Sequence, residues 1–124
     1  MKYLLLIFCC LFGFSARGQV REVDITTMSK KDLPGKFLVD VRTPEEFAEG
    51  HIQGALNLDY SASGFVGQWK GIDRETPVYL YCRTGKRSAK ASEILDSLGF
   101  EKIYNLKGGY LAWDKAQKKK ARNK

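Results

Sequence analysis

Short apolar runs alternate with helix-like segments along most of this 124-residue chain, and this alternation limits the fold more than any other feature. Residues 37–41 and 76–81 are rich in β-branched and aromatic side chains, which is typical of buried strands. A segment with helix-start or amphipathic signals follows each of them. Strands that alternate with helices in this way predict one α/β domain with a mainly parallel sheet.

Local signals divide the chain into its elements. After a short flexible lead at residues 19–22, the predicted strands are residues 23–25, 37–41, 55–58, 76–81 and 102–106. Thr43 is expected to cap a helix in which Pro44 takes the first position and acidic residues fill the first turn. The other predicted helices are residues 26–33, 61–71, 88–98 and a final one that follows the glycine pair 108–109.

The first 18 residues have the pattern of a secretory signal peptide. Lys2 supplies a positive start, residues 3–14 form an apolar run, and Ala16 and Gly18 form the small-x-small pattern that signal peptidase recognises. The run is shorter than the roughly 20 residues of a membrane span, so a retained anchor is the weaker alternative. We expect a signal peptide at 1–18, a domain at 19–114 and a basic tail at 115–124, in a protein exported to the periplasm or secreted.

The formal net charge of +7 is concentrated at the carboxyl terminus. Without residues 1–18 and the tail, the domain would carry nearly balanced charges, so no basic nucleic-acid-binding face is expected. The tail is interpreted either as a solvated helix end, whose cations suit the helix dipole, or as a weak contact with an anionic surface or an acidic partner. Its cations are Lys115, Lys118, Lys119, Lys120, Arg122 and Lys124.

Cys82 is the candidate reactive residue. The other two cysteines, Cys9 and Cys10, lie in the predicted signal peptide, so the exported chain could form no internal disulfide. A single cysteine in an exported chain indicates intermolecular pairing or a reactive thiol. Here the surrounding sequence favours the reactive thiol.

The loop that starts at Cys82 has the features that stabilise a thiolate. Three cations and a predicted helix start follow Cys82 within about six residues, and cations and helix N-termini both lower the pKa of a nearby thiol. Gly85 allows the backbone to turn, so that several N–H groups can converge on one anion. The loop residues are Arg83, Thr84, Gly85, Lys86, Arg87 and Ser88.

Other interpretations of the polar residues are weaker. Cys82 could be an inert, buried cysteine. The single histidine, His51, is expected to pack and hydrogen-bond at a turn, and a catalytic Cys–His pair is the minority alternative. One histidine and one cysteine cannot form a closed zinc site, so no metal and no cofactor are expected.

Three segments resemble single-domain rhodaneses, the thiosulfate sulfurtransferase family. They are DVRTPEEF at 40–47 with GHIQGALN at 50–57, CRTGKRS at 82–88, and LKGGYLAW at 106–113. Together they span nearly all of the predicted domain. The resemblance implies a three-layer fold in which helices flank a central, mainly parallel sheet.

The resemblance also implies a mechanism. The Cys82 thiolate would take the outer sulfur of a donor such as thiosulfate, become a persulfide and pass the sulfur to cyanide or a thiol. Backbone N–H groups of residues 83–88 would hold the persulfide, and Arg83, Lys86 and Arg87 would orient an anionic donor. Asp40 resembles the family aspartate that braces the loop, here through Arg87, although a simple turn cap is the alternative.

Loop length separates the reaction classes of this fold. Related phosphatases use a Cys-x5-Arg loop, whereas Cys82 and Arg87 form the shorter Cys-x4-Arg loop that resembles sulfur-transferring members. A sulfurtransferase is therefore the leading hypothesis, and the protein is expected to be a monomer, although the sequence does not fix its oligomeric state. A non-catalytic persulfide carrier or binding module is the main alternative, and a phosphatase or arsenate reductase is weaker still.

Overall fold

The computed structural model describes residues 19–29, 31–33 and 36–123. The predicted signal peptide lies outside the described residues. Within the described ranges, no helix is both long and apolar enough to cross a bilayer.

A five-stranded parallel sheet forms the centre of the domain. Its strands lie in the order β1-β5-β4-β2-β3, and every strand pair is parallel. The predicted α/β class with a parallel sheet is therefore confirmed. The strands are β1 (Gln19–Asp24), β2 (Phe37–Asp40), β3 (Leu56–Asn57), β4 (Val78–Tyr81) and β5 (Lys102–Lys107).

Three α-helices connect and cover the strands. They are α1 (Pro44–Glu49), α2 (Lys86–Ser97) and α3 (Gly109–Arg122). Thr43 caps α1 as predicted: its hydroxyl accepts a hydrogen bond from the Glu46 N–H at 3.2 Å, and the Glu46 carboxylate accepts one from the Thr43 N–H at 3.4 Å. This reciprocal pair fixes the start of α1 directly after β2.

Both faces of the sheet are covered by a core cluster. Successive side chains of a strand point to opposite faces, so each strand contributes to both clusters. In β4, Val78 and Leu80 join one core cluster, while Tyr79 and Tyr81 contact the other. Cys82 continues the alternation and belongs to the same cluster as Leu80. Fully buried Trp69 lies in that cluster, with its ring edge-to-face against the ring of Phe100 at 5.5 Å. The carboxyl end of β4, where Cys82 lies, is thus held between two packed layers.

Two amino-terminal predictions were wrong. Residues 19–22 are not a flexible lead: they belong to β1, which pairs with β5 from Gln19↔Lys102 to Asp24↔Lys107. The strand was not predicted because most of its residues are polar. An edge strand such as β1 needs fewer apolar side chains than a central strand. The predicted helix at 26–33 is replaced by a 3-10 turn at Ile25–Thr27, which the Asp24 side chain caps.

Two further boundaries differ from the predicted ones. The segment 61–71 forms only a 3-10 turn, Val66–Trp69, because Gly64 and Gly67 lower its helix propensity. In contrast, α3 runs without interruption to Arg122, so residues 115–122 of the predicted tail are helical. The basic residues are therefore displayed on a regular scaffold.

Candidate active site around Cys82

Cys82 and Asp40 lie at the carboxyl ends of two adjacent strands. Asp40 is the last residue of β2 and is in register with Tyr81, the last residue of β4. The Val41 N–H donates to the Tyr81 carbonyl at 2.9 Å, which extends the pairing past the strand ends. Ligand sites of parallel α/β sheets lie at this edge.

The Cys82 sulfur is surrounded by hydrogen-bond donors at the start of α2. The Gly85 N–H lies 3.0 Å from Sγ and the Ser88 hydroxyl lies 3.4 Å from it. Burial alone would raise the pKa of the Cys82 thiol. Hydrogen bonds from the Ser88 side chain and from the N–H groups of Ser88, Gly85 and Thr84 outweigh burial, so the pKa lies below that of an ordinary cysteine. The site therefore favours a sulfur anion.

Ser88 has two acceptors within reach of one hydroxyl proton. Its oxygen lies 3.4 Å from Cys82 Sγ and 3.2 Å from the Gly85 carbonyl oxygen. A hydroxyl donates one proton, so a full negative charge on the sulfur draws the bond toward the sulfur. Ser88 thus stabilises the anion more than the neutral thiol.

The first turn of α3 holds the loop from behind. The Tyr110 N–H donates to the Cys82 carbonyl at 2.8 Å, and the Leu111 N–H donates to the Arg83 carbonyl at 3.2 Å. Gly109 makes this approach feasible, because a Cβ at that position would lie 2.5 Å from the Arg83 carbonyl oxygen. Its φ of 64° is also one that glycine adopts most readily.

The loop cations do not act as one group. Arg83 and Lys86 are exposed, whereas Arg87 forms a two-bonded ion pair with Glu46 of α1, with N–O distances of 2.7 and 3.0 Å. The hydrogen bonds from Arg87 are the main reason why the pKa of Glu46 falls to about 2. Because the folded-state pKa is depressed, the pair's contribution to stability is present above about pH 4.5 and is lost as the pH falls through about 2.

Asp40 was predicted to brace the loop through Arg87, and Arg87 is the wrong partner. The Asp40 carboxylate binds the buried guanidinium of Arg42, with N–O distances between 2.7 and 3.1 Å. Arg87 reaches Glu46 instead, since the capping box holds that carboxylate at the start of α1. Asp40 also accepts the Arg42 N–H at 3.0 Å, so a turn cap is part of its role.

Arg42 connects Asp40 to the loop by another route. Its Nη2 donates to the Gly50 carbonyl at 2.7 Å, and its guanidinium carbon lies 4.4 Å from the centre of the Tyr110 ring. The Tyr110 N–H in turn binds the Cys82 carbonyl. Asp40 therefore supports the loop through Arg42 and α3.

His51 has the surroundings of a structural residue. Its ring stacks on Phe47 with centroids 3.7 Å apart, and its Nδ1 lies 2.8 Å from the Phe47 carbonyl oxygen. These contacts agree with the predicted packing and hydrogen bonding at a turn.

Comparison with known proteins decides the family. The sequence model of the rhodanese-like domain matches residues 25–116, which is most of the chain. The chain belongs to the rhodanese-like domain family. The assignment confirms the family that the three sequence segments indicated.

This rhodanese-like domain is similar to proteins from bacteria and plants and to a solved archaeal structure. The chain is 45% identical over 116 residues to the "Uncharacterized protein YqhL" of Bacillus subtilis, covering 89% of this chain and 90% of that protein. It is 36% identical over 104 residues to "Thiosulfate sulfurtransferase 16, chloroplastic" of Arabidopsis thaliana, with coverage of 76% and 87%. The crystal structure of a rhodanese-related protein from Thermoplasma volcanium matches with a TM-score of 0.65 and 27% identity, covering 77% of this chain and 91% of that one.

Sequence reasoning missed three residues of this rhodanese-like site: Arg42, Glu46 and Tyr110. Glu46 follows Thr43 by three residues, which is the spacing of a capping box. No local pattern predicts that its carboxylate also binds Arg87. Arg42 looks like a surface cation until its 4% exposure is known. Tyr110 was expected in a helix, while its contact with Cys82 depends on how the sheet and α3 pack.

Replacing Asp40 should destabilise the rhodanese-like domain strongly. Asp40→Asn leaves the buried Arg42 guanidinium without a charged partner, and breaking a buried pair in this way costs about 3–5 kcal/mol. Urea denaturation followed by circular dichroism measures the loss. The double variant Asp40→Asn/Arg42→Met is the control and should lose less than the single variant. A single-variant loss below about 1 kcal/mol would contradict a buried pair with this role.

Removing the Ser88 hydroxyl should raise the pKa of the Cys82 thiol. Ser88→Ala deletes a bond to the anionic sulfur, and hydrogen bonds to charged groups are worth about 1.5–3 kcal/mol, so thiolate alkylation on the acidic side should slow by roughly ten- to 150-fold. The rate of iodoacetamide alkylation against pH gives the shift. Ser92→Ala is the matched control, because the buried Ser92 hydroxyl donates to the Ser88 carbonyl instead. Equal profiles for both variants would contradict this role of Ser88.

Proposed function

We propose that the protein is a sulfurtransferase that carries a sulfane sulfur on Cys82 between an anionic donor and a thiol or cyanide acceptor. One observation carries the proposal: the Cys82 sulfur accepts the Gly85 N–H at 3.0 Å inside a six-residue loop whose donors lower the thiol pKa. Such a loop favours the thiolate, which is the form of cysteine that acts as a nucleophile. The name of the Arabidopsis relative supports thiosulfate as the donor.

The reaction has two displacement steps at sulfur. In the first, the Cys82 thiolate attacks the outer sulfur of thiosulfate, the S–S bond of the donor breaks, and sulfite leaves with the electron pair. In the second, cyanide or a thiolate attacks the outer sulfur of the Cys82 persulfide, and the electron pair of the broken S–S bond returns to Cys82. No external oxidant or reductant is needed, because each step exchanges one bond to sulfur for another.

Different residues of the site stabilise the sulfur anion, attract the donor and fix the loop. The N–H groups at the start of α2 and the Ser88 hydroxyl stabilise the anion on the thiolate and then on the persulfide. Arg83 and Lys86 are exposed beside the sulfur and attract an anionic donor. Arg87 is tied to Glu46, so its role is to fix the end of the loop more than to add net charge.

Steady-state turnover separates this proposal from its alternatives. The protein should convert thiosulfate and cyanide to sulfite and thiocyanate over many turnovers, and Cys82→Ser should fall to the uncatalysed background because the nucleophile is gone. Electrospray mass spectrometry after thiosulfate alone should show the gain of one sulfur atom, reversed by a reductant.

Two results would contradict the proposal. A single release of sulfite per chain with no further turnover would make the protein a persulfide carrier. Faster hydrolysis of an aryl phosphate than sulfur transfer would make it a phosphatase. Ser92→Ala serves as the folded control, since its hydroxyl lies one turn beyond the donors to Cys82 Sγ.

We also propose that the protein is exported and cleaved before Gln19. The signal-like pattern at 1–18 carries this proposal, and cleavage there would leave β1 intact, because β1 begins at Gln19. The chain purified from the exported fraction should have the mass that begins at Gln19. Ala16→Arg should block cleavage, since the enzyme requires a small residue there. An uncut chain in the cytosolic fraction would contradict export.

A further inference from the structure

A row of side chains on one face of α3 starts beside the Cys82 loop. Successive helix residues are about 100° apart, so positions 111, 115, 118 and 122 fall within a narrow arc. Their side chains line one open groove along the helix, and all are exposed. We call this set the α3 row; its members are Leu111, Lys115, Lys118 and Arg122.

The α3 row is continuous with the active site. The Leu111 N–H donates to the Arg83 carbonyl at 3.2 Å, so the row begins against the loop that holds the sulfur. Arg83 and Lys86 are exposed on that loop. From position 111 to 122 the row extends about 16 Å along the helix axis, at 1.5 Å per residue.

The charge of this surface is strongly one-sided. Among the described residues, Lys118 is the one member with an ion-pair partner, Asp114 at 2.8 Å. That pair is exposed and therefore weak, so a stronger anionic partner can replace Asp114. Leu111, with 46% of its surface exposed, adds an apolar contact at the end nearest the sulfur.

We propose that the α3 row, together with Arg83 and Lys86, is the docking surface for an acidic protein that exchanges sulfur with Cys82. This inference rests on the proposed function and names the class of its acceptor. A surface of about 16 Å is longer than thiosulfate or a single small thiol needs, but it fits a protein segment. A lipid surface would match the charge, yet it offers no thiol to the sulfur at the end of the row.

The exchange itself balances. A thiolate of the docked protein attacks the outer sulfur of the Cys82 persulfide, a new S–S bond forms on the partner, and the Cys82 thiolate leaves with the electron pair. The partner's thiol proton goes to solvent as the attacking thiolate forms. Acidic groups on the partner would raise the encounter rate more than the rate of the chemical step.

Two synthetic peptides test the proposal. Each contains one cysteine and a leucine, one surrounded by Asp and Glu and the other by Asn and Gln. The protein, loaded with sulfur from thiosulfate, should transfer it to the acidic peptide at least roughly fivefold faster in kcat/KM at low ionic strength, and the advantage should vanish in high salt.

Matched triple variants locate the surface. Lys115→Gln/Lys118→Gln/Arg122→Gln should remove the advantage of the acidic peptide. The control Lys36→Gln/Lys70→Gln/Lys102→Gln removes the same charge from exposed positions away from the α3 row and should keep the advantage. Turnover of thiosulfate with cyanide should be unchanged in both, which shows that fold and loop are intact. Leu111→Gln should weaken transfer to both peptides.

A binding measurement separates this inference from the proposed function. Fluorescence anisotropy of the acidic peptide with its cysteine replaced by serine reports docking without chemistry, and loss of binding in the α3 triple alone supports the inference even if thiosulfate turnover fails. Equal loss in both triples would overturn it. So would unchanged peptide transfer in the α3 triple combined with lost binding to phosphatidylglycerol vesicles, which would identify the row as a membrane contact.

Discussion

Two helix starts meet at the Cys82 loop, and the rest of the site depends on how they divide their hydrogen bonds. The N–H groups at the start of α2 point to the Cys82 sulfur, with Gly85 at 3.0 Å. Those at the start of α3 bind the carbonyls of Cys82 and Arg83. The first N–H groups of a helix have no partner within it, so each start has free donors to offer. One set stabilises the sulfur anion, and the other fixes the backbone that carries it.

The ion pairs of the domain support this arrangement from two sides. Glu46 holds Arg87 at the start of α2, while Asp40 holds Arg42 under the ring of Tyr110. Both carboxylates lie beside the turn after β2. This one segment therefore helps to position the start of α2, through Arg87, and the start of α3, through Arg42 and Tyr110. The two exposed cations of the loop, Arg83 and Lys86, face solvent. If the α3 row docks a partner, it would do so on the same helix that fixes the loop.

Much of the scaffold could be predicted from local patterns. Apolar runs located β2 and β4, and the Thr43, Pro44 and Glu46 pattern located α1, because strand burial and helix capping depend on neighbouring residues. β1 was missed because its sequence is polar and its stability comes from pairing with β5, more than 70 residues away. A helix was predicted at 61–71, where the structure has only the turn at Val66–Trp69, because Phe65, Val66 and Trp69 stand at the spacing of a helical face.

The sequence by itself determined that Cys82, between a strand and a helix start in a Cys-x4-Arg loop, belongs to a parallel α/β domain of the rhodanese-like family. Those features are local, and local chemistry is visible in the order of residues. Only the tertiary structure decided which groups are paired: the ions of Arg87 and Glu46, the ions of Asp40 and Arg42, and the Tyr110 N–H with the Cys82 carbonyl. Arg87 and Glu46, like Tyr110 and Cys82, come from different elements, and the distances between them are set by how the helices pack on the sheet. Asp40 and Arg42 are only two residues apart, but their pairing depends on the burial of both side chains, which the tertiary structure sets.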